Sequence, residues 1–133
     1  MKHWIAALAL QLFILPAFAQ GPDFKTGPVF DEYGPVADID ADFTIPDAMN
    51  FKVRFDVREG GEAGARNRRF ETAARFINMH ARAGIPEEKM KLAIVVHGKA
   101  VHDLAKASHY QDAVGGENAN APMLAALMDK GVR

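Results

Sequence analysis

Leu92-Ala93-Ile94-Val95-Val96 is an unbroken apolar run rich in β-branched residues, and it stops abruptly at His97-Gly98. Continuous rather than alternating apolarity predicts a central strand covered on both faces. Upstream, Phe51-Lys52-Val53-Arg54-Phe55-Asp56-Val57 alternates strictly, so Phe51, Val53, Phe55 and Val57 share one face of a half-buried strand. Between the two, residues 66–82 carry helical periodicity, with Phe70, Ala73, Ala74, Ile77 and Ala81 on one face. Gly84 and Pro86 stand where a helix ends and cannot resume. Strand, helix and strand make a βαβ unit, which requires parallel pairing and a right-handed crossover.

The rest of the chain is read around that unit. Residues 99–106 predict a short helix carrying Val101, Leu104 and Ala105, and residues 108–119, polar and holding Gly115-Gly116, predict a loop. Asn120 is placed to cap a last helix with Pro122 in its first turn, Met123, Leu124, Leu127 and Met128 as its buried stripe, and Gly131 at its end. Residues 20–49 predict an extended arm, punctuated by Gly21-Pro22, Gly27-Pro28 and Gly34-Pro35 and lying over the domain or a neighbouring subunit. Within it Asp38 to Phe43 alternates acid and apolar side chains, as a strand with Ile39, Ala41 and Phe43 on one face would. Two or three strands are a thin sheet for three helices. The expectation is a domain over 50–133 that is shortened at its C-terminus or completes itself by assembly.

Lys2 and His3, an apolar stretch from Trp4 to Leu15, Pro16 and then Ala17-Phe18-Ala19 form the pattern of a secretory signal peptide cleaved after Ala19. The expected location is periplasmic or secreted, with no membrane attachment after cleavage. Lys and Arg number 16 against 17 Asp and Glu, for a formal net charge of −1. That balance gives no electrostatic footprint for nucleic acid or an anionic membrane. The sequence contains no cysteine, which excludes disulfides, thiolate nucleophiles, thiolate metal ligands and persulfide carriers within these residues.

Candidate chemistry is sparse. The loop Gly60-Gly61-Glu62-Ala63-Gly64 lies between strand and helix, where phosphates bind, but matches no phosphate-loop spacing and reads as a flexible connection. Asp38, Asp40 and Asp42 begin like a calcium loop that Phe43 and Met49 then break. His97, His102 and His109 lack metal-site spacing, so no metal and no cofactor are expected. Ser108 has no nucleophile-elbow context, and Glu71 with Arg75 predicts a helix-surface ion pair. No catalytic residue is assigned. Ligands in open α/β sheets bind beyond the carboxyl ends of the strands. His97, Gly98 and Lys99 therefore form the predicted ligand corner, with Asn78 and Asn118 as further candidates for the same region. The plain alternative for His97 is an imidazole bonded to nearby backbone.

Several segments together resemble the exported branch of the DsrE/DsrF-like family: Gly27–Gly34, Phe51–Val57, Arg75–His80 with Gly84-Ile85-Pro86, Lys91–Gly98 and Asn120–Arg133. The resemblance implies a three-layer α/β/α fold with a small parallel sheet, Rossmann- or flavodoxin-like, and homo-oligomers. Cytoplasmic members of that family pass sulfur as a cysteine persulfide. In relatives a further strand and a cysteine-bearing loop follow the last helix, and no residue here matches that cysteine. The expectation is a non-catalytic domain that binds a small ligand or a partner and is linked to sulfur metabolism by resemblance. The alternatives are a sulfur-relay protein whose cysteine lies in a further C-terminal part, and a structural subunit whose arm clasps a neighbour.

Overall fold

The computed structural model describes residues 23–133; the signal segment and its cleavage point lie outside the described residues. Strands β1 (Phe24–Lys25) and β2 (Val36–Ala37) pair antiparallel in the arm. Strand β3 (Phe51–Val57) and helix α1 (Arg68–Arg82) follow, then β4 (Met90–Val96), a 3-10 segment over Gly98–Leu104, and helices α2 (Ala107–Ala113) and α3 (Ala121–Asp129). Strands β3 and β4 pair parallel from Phe51 opposite Met90 to Val57 opposite Val96, as the βαβ pattern requires. This is a small α/β fold.

The predicted helical face is the one buried. Phe70, Ala73, Ala74 and Ile77 of α1 meet Val57 and Leu92 of the sheet and Met123 and Leu127 of α3 in one core. Phe76 sits edge-on to both Phe51 and Phe55 and stacks on His80, with ring centroids 3.8 Å apart. The expected double covering of β4 is not what forms. One face takes the helices, whereas Lys52, Arg54 and Asp56 of β3 and Lys91 and Val95 of β4 remain exposed on the other. Val95 is 44% exposed, so the unbroken apolar run places one large hydrophobe in solvent. Beside β4, the Arg133 backbone donates to the Leu92 carbonyl and accepts from the Ile94 N–H, pairing with the strand's outer edge.

The arm is a clasp on α1. A Cβ at Gly34 would lie 2.3 Å from the Arg75 nitrogen, and Gly34 has φ +64°, so only glycine fits this crossing. Asn78, fully buried, accepts from the N–H groups of Val29 and Phe30 and donates to the carbonyls of Phe30, Tyr33 and Gly34. Arg82 donates to the carbonyls of Lys25, Thr26 and Gly27 and to Asp38. These groups would be orphaned if the arm lifted, which ties it to its own domain.

Several local expectations fail for identifiable reasons. Asp38 to Phe43 is not a strand, because β2 already ends at Ala37 and no partner is offered; Ile39 and Phe43 stay exposed. Glu71 and Arg75 do not pair: Arg75 donates to the Pro35 carbonyl, and Glu71 turns inward to accept from Gly34 N–H. Residues 108–113, expected as loop, belong to α2, anchored by one fully buried residue, Tyr110, too little for a periodic pattern. In α3, Met123 and Leu127 are buried but Met128 is 64% exposed. No helix of the described residues is long and apolar enough to cross a membrane.

Candidate functional site

Parallel strands end together, so the loops after β3 and β4 emerge side by side. Gly98 makes the turn off β4 with φ +60°; a Cβ there would lie 2.9 Å from the Arg58 carbonyl oxygen, so the close neighbour that demands glycine is the β3 exit. Ala100 N–H then bonds the Arg58 carbonyl and seals the two exits together. The Gly60-Gly61 loop folds back onto this turn and is packed rather than free. A Cβ on Gly60 would meet the Lys99 carbonyl at 3.2 Å, and one on Gly61 would meet Asn67 at 3.2 Å.

Between these loops and the end of α2 lies a cavity of about 390 Å³, lined by Gly60, Gly61, Lys99, His102, Asp103, Ala113 and Val114. That is within the size range of small-molecule sites, near the lower end. Lys99 and His102 are exposed and form no ion pair or side-chain hydrogen bond among the described residues. Asp103 is 1% exposed. Its Oδ2 accepts from Gly61 N–H at 2.9 Å and Asn67 Nδ2 at 2.8 Å, while its Oδ1 has no partner.

An asparagine network supports the cavity from beneath. Asn67 caps α1 through its Oδ1 on Arg69 N–H and donates from Nδ2 to the Glu59 carbonyl and to Asp103. Asn120 does not cap α3 with its side chain: its Oδ1 accepts from Asn67 N–H at 2.6 Å, and its Nδ2 is buried without a partner. Asn118 donates to the carbonyls of Asp103 and Ala105 and accepts from Asn120 N–H, holding the 3-10 segment in place.

The five residues predicted for the ligand corner therefore divide. Lys99 lines the cavity, and Gly98 shapes its approach. His97 is beside it, with Nε2 2.8 Å from Oδ1 of Asp56 on the neighbouring strand, a partner other than backbone; both side chains are about half exposed or more. Asn118 is below the cavity as support. Asn78 is not part of this corner, because its amide is wholly engaged with the arm. Asp103, His102, Gly60 and Gly61 were missed as site residues. The one available signal for Asp103 was its spacing of three from Ala100, which a 3-10 segment stacks on one face, so both become buried. Among the described residues no His, Asp or Glu cluster could hold a metal ion.

The model of the DsrE/DsrF-like family matches residues 52–133, which covers β3 from its second residue, β4, the helices α1 to α3 and the cavity. No curated protein and no solved structure matches the chain.

Proposed function

Since the chain belongs to the DsrE/DsrF-like family, we propose that it is a non-catalytic binding protein that takes a small anion-bearing ligand in the cavity at the carboxyl ends of β3 and β4. The family links it to sulfur metabolism. The sequence has no cysteine, so a persulfide cannot form on these residues, and a sulfur compound would be held by non-covalent contacts. One observation carries the reading: Lys99 and His102, two donors without partners among the described residues, line one cavity at the strand ends. An anion there gains charge-assisted hydrogen bonds that neither side chain makes within the protein. The amino-terminal export pattern supports action in the periplasm or outside the cell. Exposed Val95, Val101 and Leu104 support self-association into a homo-oligomer.

The test is heteronuclear NMR with sulfate, sulfite and ethanesulfonate. The expected result is saturable shifts centred on Lys99 and His102, lost in Lys99→Ala/His102→Ala. Shifts centred elsewhere, or none at millimolar concentrations, would overturn the proposal.

A second reading is sulfur relay with the persulfide cysteine contributed from outside these 133 residues. The observation in its favour is the Arg133 backbone on the outer edge of β4, because chain entering there would run beside the same strand ends. Its test is persulfide transfer from a sulfur donor to the gene's full product, with labelling of any acceptor thiol; no labelled thiol would remove it.

A further inference from the structure

Strand β3 has one edge without a neighbour. The Val57 carbonyl accepts from His97 N–H on the β4 side, so the backbone groups of Lys52, Arg54 and Asp56, one residue out of phase, point to the other edge. There they have no hydrogen-bond partner among the described residues. The strand also has two unlike faces. Phe51, Val53 and Phe55 pack against the core, while Lys52 and Arg54 stand exposed on the open side. An edge of this kind can accept an added strand, and its side chains select which one.

A segment of the arm has the matching pattern. Residues 39–43 read Ile-Asp-Ala-Asp-Phe, and all five are exposed, Ile39 by 78% and Phe43 by 69%. They lie just past the contact of Asp38 with Arg82 and make no hydrogen bond or ion pair of their own among the described residues. In extended form Asp40 and Asp42 project to one face, and Ile39, Ala41 and Phe43 to the other. With Ala41 set opposite Val53, two carboxylates meet Lys52 and Arg54, and three apolar residues continue the row of Phe51, Val53 and Phe55. The match holds whichever way the segment runs, and a slip of one residue turns it over. In its own chain the segment lies elsewhere, lining a cavity over the end of α1 with Met79, His80 and Ala83. We propose that residues 39–43 add to the free edge of β3 in a second copy of the chain. The clasp at Asn78 and Arg82 stays closed, because it ends at Asp38. Reciprocal exchange of the two segments closes a two-fold dimer. This gives the proposed self-association a contact surface and is independent of the strand-end cavity.

The experiment is sedimentation equilibrium of the native chain and of two charge-reversed variants, Asp40→Lys/Asp42→Lys and Lys52→Glu/Arg54→Glu, alone and mixed. All four side chains are exposed, so folding is kept. The native chain is expected as a dimer, which each variant weakens about tenfold or more. An equal mixture restores it, because the basic arm then meets the acidic edge and the acidic arm meets the basic edge. A native chain that is monomeric at high micromolar concentration overturns the inference and the self-association together. An assembly that keeps its affinity in both variants overturns the inference alone and leaves self-association to another face. Loss confined to one variant, or a mixture that stays monomeric, also overturns it. The sequence has no cysteine, so engineered thiols report cleanly. Ala41→Cys and Val53→Cys placed on separate chains are expected to form a mixed disulfide on mild oxidation. A bridge that forms only when both stand on one chain shows docking within the chain and overturns the exchange.

Discussion

Two asparagine-centred networks hold this molecule together, and they end differently. At the arm, Asn78 joins α1 to Val29, Phe30, Tyr33 and Gly34, and both ends of its amide are occupied. At the strand ends, Asn67, Asn118 and Asn120 join the exits of β3 and β4 to the start of α3, and two buried atoms are left over, Asp103 Oδ1 and Asn120 Nδ2. The first network is closed and has nothing to offer a ligand. The second is incomplete, and both of its loose ends are buried. Buried polar residues in a small domain are thus not equivalent. Saturation marks a fastening, whereas unmet buried atoms mark a network that gives up stability.

That contrast can be broken most directly at Gly34. Gly34→Val puts a β-branched residue at φ +64° with its Cβ on top of the Arg75 backbone, so the arm has to leave α1. The expected loss is about 3 kcal/mol or more, read from denaturant unfolding. An unchanged midpoint would show that the arm does not contribute to stability. The two networks are then compared by truncating one asparagine in each. Asn78→Ala strands several buried backbone groups at once and is expected to cost about 2–3 kcal/mol. Asn120→Ala removes one hydrogen bond together with a donor that had no partner, and is expected to cost about 1 kcal/mol. Equal losses would erase the distinction between a closed network and an incomplete one. The smallest effect is expected at His97, whose contact with Asp56 is solvent-exposed. His97→Ala should change stability by less than about 0.5 kcal/mol. A larger loss in thermal unfolding would make that pair part of the structural frame.

The framework was legible in the sequence because it depends on repeated signals. Phe51–Val57 announces a strand through four apolar positions at period two, and residues 66–82 announce a helix through five at helical spacing. The site depends on single residues whose roles are set by distant partners. Asp103 is buried by its contacts with Gly61 and Asn67, Glu71 is turned inward by Gly34, and α2 is anchored by Tyr110 alone. None of these leaves a period. Lys99 could be placed at the strand ends because its position follows from topology, just past the end of a parallel strand. Asn78 was misjudged for the complementary reason: its chemistry suggested a ligand, while the arm that consumes it is far away in sequence.

The short backbone pairing of Arg133 with Leu92 and Ile94 has a practical bearing on how the molecule is handled. Whatever chain continues from Arg133 in this register, an affinity handle included, would be led along the rim of β4 toward Val96. Reporters are better introduced at the Pro46–Asn50 bend, where the chain is exposed.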